Sequence, residues 1–382
     1  MSNEFIIFGS PQIKQPEIDD VVDSLKSGWI GTGSKVAKFE KLFAGYKNTT
    51  NTIGVNSCTA ALHLSLLTLN LKPEDEVITT SMTFCSTVNS IIHTGAKPIL
   101  VDIDPKTMNI NPYSIERKIT NKTKCILLVH FAGRSCDMDA IMKIVKKYNL
   151  YLIEDCAHAI ETTYHGKNAG TFGDFGCFSF YVTKNLVTGE GGMVITNHKE
   201  KASQIKKLAL HGLSQDAWKR FSDEGYQHYS VEAAGFKYNM MDIQAAIGIH
   251  QLERIEKNWL RRQEIWNYYN DNFSELPIEL PSPIEKNTRH AYHLYTILID
   301  ESKSGLTRDG FLNRMNDNKI GTGVHYLSIP EHPYYQKHFS WKAEDYPHAM
   351  KIGRQTVSLP LSPKLTDNDV ERVIKTVKKV LD

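Results

Sequence analysis

The chain lacks paired cysteines at any recognisable spacing. Its six cysteines, Cys58, Cys85, Cys125, Cys136, Cys156 and Cys177, lie scattered in or beside apolar runs. No two have the spacing of a zinc site or a dithiol redox motif, so the sequence predicts no metal and reduced, buried thiols. It also lacks a charge of one sign: 45 basic residues face 43 acidic ones, a net +2, interspersed along the chain. That balance gives no electrostatic case for nucleic acid or a membrane surface as partner. The opening "MSNEFIIFGSPQIKQPEIDD" has neither a basic leader nor a long apolar run, and a cytoplasmic location is expected. Repeats and low-complexity stretches are missing too.

What is present is an ordinary globular composition, 41% hydrophobic and 23% charged over 382 residues, long enough for two domains. "VAKFEKLFAGY" and "CTAALHLSLLTLNL" read as helices. Short apolar runs then alternate with helical patterns: "DEVITT", "KPILVDI", "CILLVHFAG", "MDAIMKIVKKYN", "LYLIED". Runs that are apolar without alternation predict strands covered on both faces, hence an α/β domain with a mostly parallel sheet. From "GFKYNMMDIQAAIGIHQLERIEKNWLRRQEIWNYYNDNF" onward the texture becomes one long helical pattern, then prolines, then mixed strands and helices. The predicted division is a large α/β domain over 1–245 and a smaller α+β domain over 246–382.

Within this frame a few residues stand out. Glu154 and Asp155 close the apolar run "YLI", and the carboxyl ends of such strands are where open α/β sheets gather ligands. His158 follows closely. In "FSFYVTKNLVTGEGG", Lys184 sits between Ser179 and the glycines 189, 191 and 192. Glycines permit close approach of a bulky ligand, and burial enriches a lysine's neutral, nucleophilic amine. An acid at a strand end with such a lysine fits pyridoxal phosphate, the acid against the pyridine nitrogen and the lysine on the aldehyde. "NSCTAAL" offers the Ser57 and Thr59 hydroxyls and free N–H groups at a helix start, either an anion cradle or a plain cap. Ser179 adds a hydroxyl, and Phe84 a ring able to lie against the pyridine.

Together these blocks resemble the DegT/DnrJ/EryC1/StrS family of nucleotide-sugar aminotransferases, fold-type I pyridoxal phosphate enzymes. The resemblance runs in order through "GWIGTGSKVAKFE", "NSCTAALHL", "TFCSTVNSIIHTGAKPILVDID", "IEDCAHAIE", "SFYVTKNLVTGEGG", "GFKYNMMDIQAAIGIHQLERI", "GTGVHYLSIPEHPYY" and "SLPLSPKLTDNDVERVI". It implies a large domain with a mixed, mostly parallel sheet between helices and a smaller α+β domain. It makes Lys184 the Schiff-base lysine and proton shuttle and Asp155 the partner of the ring nitrogen. His158 would lie beside the cofactor hydroxyl, and Ser57, Cys58, Thr59 and Ser179 would line the phosphate pocket. Asn239 would reach the phosphate of a neighbouring subunit, making a homodimer with shared sites. Trp29, Thr32, His325 and Tyr326 lie in blocks that face the substrate in similar proteins. Trp218, Lys219 and Arg220, in "DAWKRF", are expected to stack a base and pair with a diphosphate. Tyr181 departs from the histidine many members carry.

The activity implied is a transamination in two halves. L-glutamate leaves its amino group on the cofactor, as pyridoxamine phosphate, and a nucleotide-linked keto sugar, expected to be 4-keto-6-deoxy, takes it up. The product would be an amino sugar for bacterial surface polysaccharide such as lipopolysaccharide O-antigen. A 3-keto substrate and a lyase or dehydratase on the same scaffold are the alternatives. Dehydratase members replace the lysine with histidine, so Lys184 favours amino transfer. A sugar-nucleotide sensor without catalysis would need neither Lys184 nor Asp155.

Overall fold

The computed structural model describes residues 4–214 and 229–382. In chain order its strands are β1 (Asn51–Val55), β2 (Glu76–Thr80), β3 (Lys97–Val101), β4 (Thr123–Val129), β5 (Tyr151–Asp155) and β6 (Thr163–Tyr164). There follow β7 (Lys167–Asn168), β8 (Phe175–Ser179), β9 (Gly192–Thr196), β10 (Thr288–Arg289), β11 (Tyr295–Leu298) and β12 (Thr356–Leu359). The main sheet has seven strands in the order β1-β9-β8-β5-β4-β2-β3. Its β3/β2, β2/β4, β4/β5 and β5/β8 pairs are parallel, while β8/β9 and β9/β1 are antiparallel. The sheet is thus mixed and mostly parallel, as the unbroken apolar runs predict, and β5 is its middle strand.

Alternation along each strand feeds two layers. Val77, Cys125, Leu127 and Ile153 pack beneath the helix Cys58–Leu67, whereas Ile78, Ile126, Leu128 and Leu152 face Met138, Ile141 and Ile144 of the helix Met138–Tyr148. The first of these helices is apolar nearly all round because it is covered on both sides. Burying Leu62, Leu64 and Leu66 contributes about 1.5–3 kcal/mol each. The second is amphipathic, opened by Asp137, whose side chain accepts the Ala140 N–H at 3.0 Å.

A second core gathers Trp266, Tyr269, Tyr295, Phe311, Val357, Val373 and Val377 around the β11/β12 pair. Ile6, far away in sequence, packs into it and is tied by the Ile6 N–H to Lys319 O bond. The helix Asp367–Leu381, capped by Thr366 and Asp369, contributes its apolar stripe. The long helical pattern is in fact two helices, Asp242–Glu253 and Ile255–Phe273, with Arg254 non-helical between them (φ −110°, ψ 11°). Arg254 spends its guanidinium on Gln12 O and Glu17 of the helix Gln15–Ser27, which fixes the kink. One segment spans the two cores. Gly323 pairs with Ser358 of β12, and the Ile329 N–H bonds Ser81 O beyond β2. His325 and Tyr326, between these anchors, are thereby carried to the carboxyl edge of the main sheet.

Candidate active site

Asp155 ends the middle strand, and its neighbour Glu154 points the other way. Glu154 Oε1 accepts the N–H groups of Phe172 and Gly173, and Oε2 accepts Gly170 N–H and the His130 ring. His130 Nδ1 accepts the Cys136 N–H, so its proton sits on Nε2 and faces Glu154. Although His130, Glu154 and Cys156 lie close together, the lone pairs a metal would need on His130 and Glu154 are already spent inside the fold. Asp155 faces a different set. Oδ2 accepts from Thr87 Oγ1 at 2.9 Å and Oδ1 from Ala157 N–H at 3.1 Å, with Cys58 Sγ at 3.9 Å. Burial pushes its carboxyl up from the usual range, against the pull of Ala157, Thr87 and Lys184.

Lys184 lies in a turn that leaves β8 and returns to β9. Phe180 N–H bonds Gly191 O, Thr188 N–H bonds Phe180 O, and Lys184 N–H bonds Tyr181 O. The half-buried amine is lowered to about 8 by desolvation, with Asp155 and the Cys58 thiol opposing the shift. At neutral pH a useful fraction is therefore the neutral amine. Two of the glycines also serve packing inside the fold. Gly189 takes the left-handed region (φ +84°). A Cβ on Gly191 would meet Thr188 Oγ1 at 2.3 Å, and one on Gly192 the Ser57 carbonyl carbon at 2.5 Å. Gly191 leaves room for the Thr188 hydroxyl, and Gly192 lets β9 press against the start of the helix Cys58–Leu67.

That contact builds one pole of the site. Ser57 caps the helix, its Oγ accepting the Ala60 N–H at 3.1 Å, so the plain cap exists whether or not an anion is held. Cys58 is buried and Thr59 exposed. Ser179 stands opposite Gly192 in the β8/β9 register, which brings its hydroxyl to the same pole. Asn239 bridges to Val55, just before this helix. Its amide donates to Thr32 Oγ1 at 2.6 Å, while its Oδ1 is buried without a partner among the described residues. Thr32 is thus tied to Asn239, and the exposed Trp29 donates its indole N–H to Thr32 O.

The opposite wall comes from the spanning segment. His158 accepts the Ala132 N–H at Nδ1, 3.2 Å, and meets Tyr326 Oη through Nε2 at 3.0 Å. A neutral ring that accepts at Nδ1 carries its proton on Nε2, so Tyr326 is the acceptor and its own hydroxyl hydrogen remains free for the site. Phe84, 56% exposed, lies 5.9 Å ring to ring from Tyr326. His325 pairs with Ser358 Oγ at 2.8 Å. Burial and Lys184 lower both rings, His158 well below its usual value and His325 to about 3. Both stay neutral in the working range.

The site also holds residues that the sequence reading passed over. Asn185 donates to both oxygens of buried Glu161 and to Ala291 O, and accepts at Oδ1 from His293. It thereby clamps the turn directly after Lys184. Asn185 stood one place from Lys184, which is the only local signal. Thr83 and Thr87 were likewise missed. Trp218, Lys219 and Arg220 lie outside the described residues, and Tyr181 is exposed. Taken together, a depressed amine, a buried carboxylate, a helix N-terminus and an exposed ring converge at one sheet edge. They suit a planar, anionic, aldehyde-bearing ligand.

Comparison with known proteins agrees. The model of the DegT/DnrJ/EryC1/StrS aminotransferase family matches residues 11–378. An uncharacterised protein of Methanocaldococcus jannaschii is 50% identical over 371 residues, 97% of this chain and 96% of that one. The spore coat polysaccharide biosynthesis protein SpsC of Bacillus subtilis is 46% identical over 380 residues, covering 99% and 98%. Among solved structures, the putative sugar aminotransferase Spr1654 of Streptococcus pneumoniae in its PMP form superposes with a TM-score of 0.92 at 33% identity, covering 98% of this chain and 99% of that chain. Its PLP form gives 0.91 at 32% identity, covering 99% and 98%.

Proposed function

Since this chain belongs to the DegT/DnrJ/EryC1/StrS aminotransferase family, we propose that it moves an amino group from L-glutamate to a nucleotide-linked 4-keto-6-deoxy sugar. At the coarser level it is a pyridoxal-phosphate-dependent sugar aminotransferase with the fold-type I architecture. The amino sugar product is assigned to a surface polysaccharide, in keeping with the name of the Bacillus relative. We place the enzyme in the cytoplasm as a homodimer whose sites draw on both subunits.

The residues suit the cofactor on three observations. Lys184 carries an amine lowered to about 8, Asp155 is buried and held by donors, and the helix opened by Ser57 starts against Gly192, the register partner of Ser179. When bound, the cofactor supplies an aldehyde and an electron-accepting ring. Lys184 would hold the aldehyde carbon in the resting enzyme and, once displaced by the donor, carry a proton away from the donor's α-carbon through Nζ. Asp155 would keep a positive charge on the ring nitrogen. Ser57, Cys58, Thr59 and Ser179, with the helix N-terminus, would hold the phosphate. Phe84 would cover one ring face, and the free Tyr326 hydrogen would be donated into the site. Trp29, Thr32 and His325 are assigned to the sugar side, and Trp218, Lys219 and Arg220 to the nucleotide.

The single observation carrying this reading is the depressed Lys184 amine beside the buried Asp155 carboxylate at the sheet's carboxyl edge. The test is a panel of 3-keto and 4-keto nucleotide sugars with L-glutamate, the product identified by mass and NMR. Conversion of a 4-keto sugar is expected. Glutamate alone should bleach the holoenzyme's band near ~410–430 nm, and a band that persisted while a sugar was dehydrated would overturn the transaminase assignment.

A further inference from the structure

Asp155 does not stand alone. Behind it runs a chain of two buried hydroxyls, with Thr83 Oγ1 2.8 Å from Thr87 Oγ1 and Thr87 Oγ1 2.9 Å from Asp155 Oδ2. Both threonines are at most 2% exposed, so water does not compete. An ionised carboxylate only accepts. With Asp155 ionised, the single Thr87 hydrogen is committed to Asp155, and Thr83 donates to Thr87. Direction is fixed along the relay: Thr83 to Thr87 to Asp155.

Neither hydroxyl has a more ordinary duty. Thr87 lies within the helix Cys85–His93, where a threonine commonly bonds the carbonyl one turn back. Here its hydroxyl turns out of the helix toward β5. The N-cap of that helix is Phe84, and among the described residues the Thr83 hydroxyl makes its one hydrogen bond to Thr87. Two polar groups have been buried to supply one donor to one carboxylate oxygen, while Ala157 N–H serves the other.

We propose that Thr87, backed by Thr83, is a positioning residue that holds Asp155 ionised and in a single orientation, and so sets how strongly the enzyme prefers a ring with a basic nitrogen. This rests on the assignment of Asp155 to the ring nitrogen. Burial works against the carboxylate charge, and the relay counters it. Losing a hydrogen bond to a charged group is expected to cost about tenfold or more in the discrimination that group provides.

The experiment is equilibrium binding to apoenzyme of pyridoxal phosphate and of its 1-deaza analogue, in which carbon replaces the ring nitrogen. Wild type should prefer the nitrogen ring. Thr87→Val should reduce that preference about tenfold or more while leaving affinity for the deaza ring within about threefold. Thr87→Ser should restore the preference, and Thr83→Val, which does not touch Asp155, should show a smaller loss of the same kind. If Thr87→Val weakened both ligands equally, or left the preference intact, the relay would have no such role. Wild type without any preference would overturn the Asp155 assignment itself, and the proposal with it. Should Thr87→Val fail to fold, Thr83→Val decides: an unchanged preference there overturns the relay.

Discussion

At the scale of single residues, protonation states follow from who already holds each lone pair. His158 and His325 are neutral because burial and Lys184 oppose a second proton. The pH profile of kcat should accordingly show no histidine inflection between about pH 5.5 and 7.5, a range that stopped-flow bleaching with glutamate can cover. Tyr326→Phe would leave the His158 Nε2–H facing a ring edge, at a cost of about 1–3 kcal/mol in urea denaturation. Because the same hydroxyl keeps a hydrogen to donate into the proposed site, kcat/KM should fall in that variant too. Lys184→Ala should lower turnover about 10²- to 10⁴-fold or more. Compared as apoenzymes, its urea midpoint should hold or rise, since a poorly solvated cation is removed. Asp155 and Lys184 were legible in the sequence because each sits where an apolar run stops. Thr83, Thr87 and Asn185 were not, because a threonine or asparagine gains its role only when another element presents a carboxylate to it.

Among elements, the decisive contact is between the start of β9 and the start of the helix Cys58–Leu67. Gly192→Ala places a methyl 2.5 Å from the Ser57 backbone. Strand or helix must then shift, which costs about 1–3 kcal/mol. The variant should lose pyridoxal phosphate faster on dialysis, read by the ratio of cofactor to protein absorbance. A variant that kept its cofactor at the wild-type rate would show that this contact does not shape the proposed phosphate pole. The glycine-rich turn was visible in the sequence, but not that two of its glycines also accommodate the Ser57 backbone and the Thr188 side chain, which only the folded contacts reveal. The mostly parallel sheet was legible because strands covered on both faces have no polar side to show. The kink at Arg254 was not, since it depends on Gln12 and Glu17, more than 230 residues away.

For the whole molecule, Glu161 marks a junction. Its carboxylate is buried among Asn185 of the lysine turn, Arg262 of the helix Ile255–Phe273, Arg289 of β10, and Lys47 and Tyr46 of the helix Ser34–Lys47. Desolvation raises it from 4.5 to about 7. A carboxyl raised on folding binds its proton more tightly in the native state, so its contribution to stability is full below the unfolded value and is lost as pH rises through about 7. Urea midpoints of the wild type should therefore include a decline between about pH 5 and 8, worth about 1–3 kcal/mol, that flattens in Glu161→Gln. An equally steep decline in the variant would mean that other groups carry it. Thiol burial has a practical consequence of its own. Five of the six cysteines are buried and Cys85 alone is partly open, directly after Phe84 on the rim of the cleft. A maleimide dye should label the native enzyme at that one place and report, by its emission, when a sugar nucleotide arrives. Full alkylation should have to wait for denaturant.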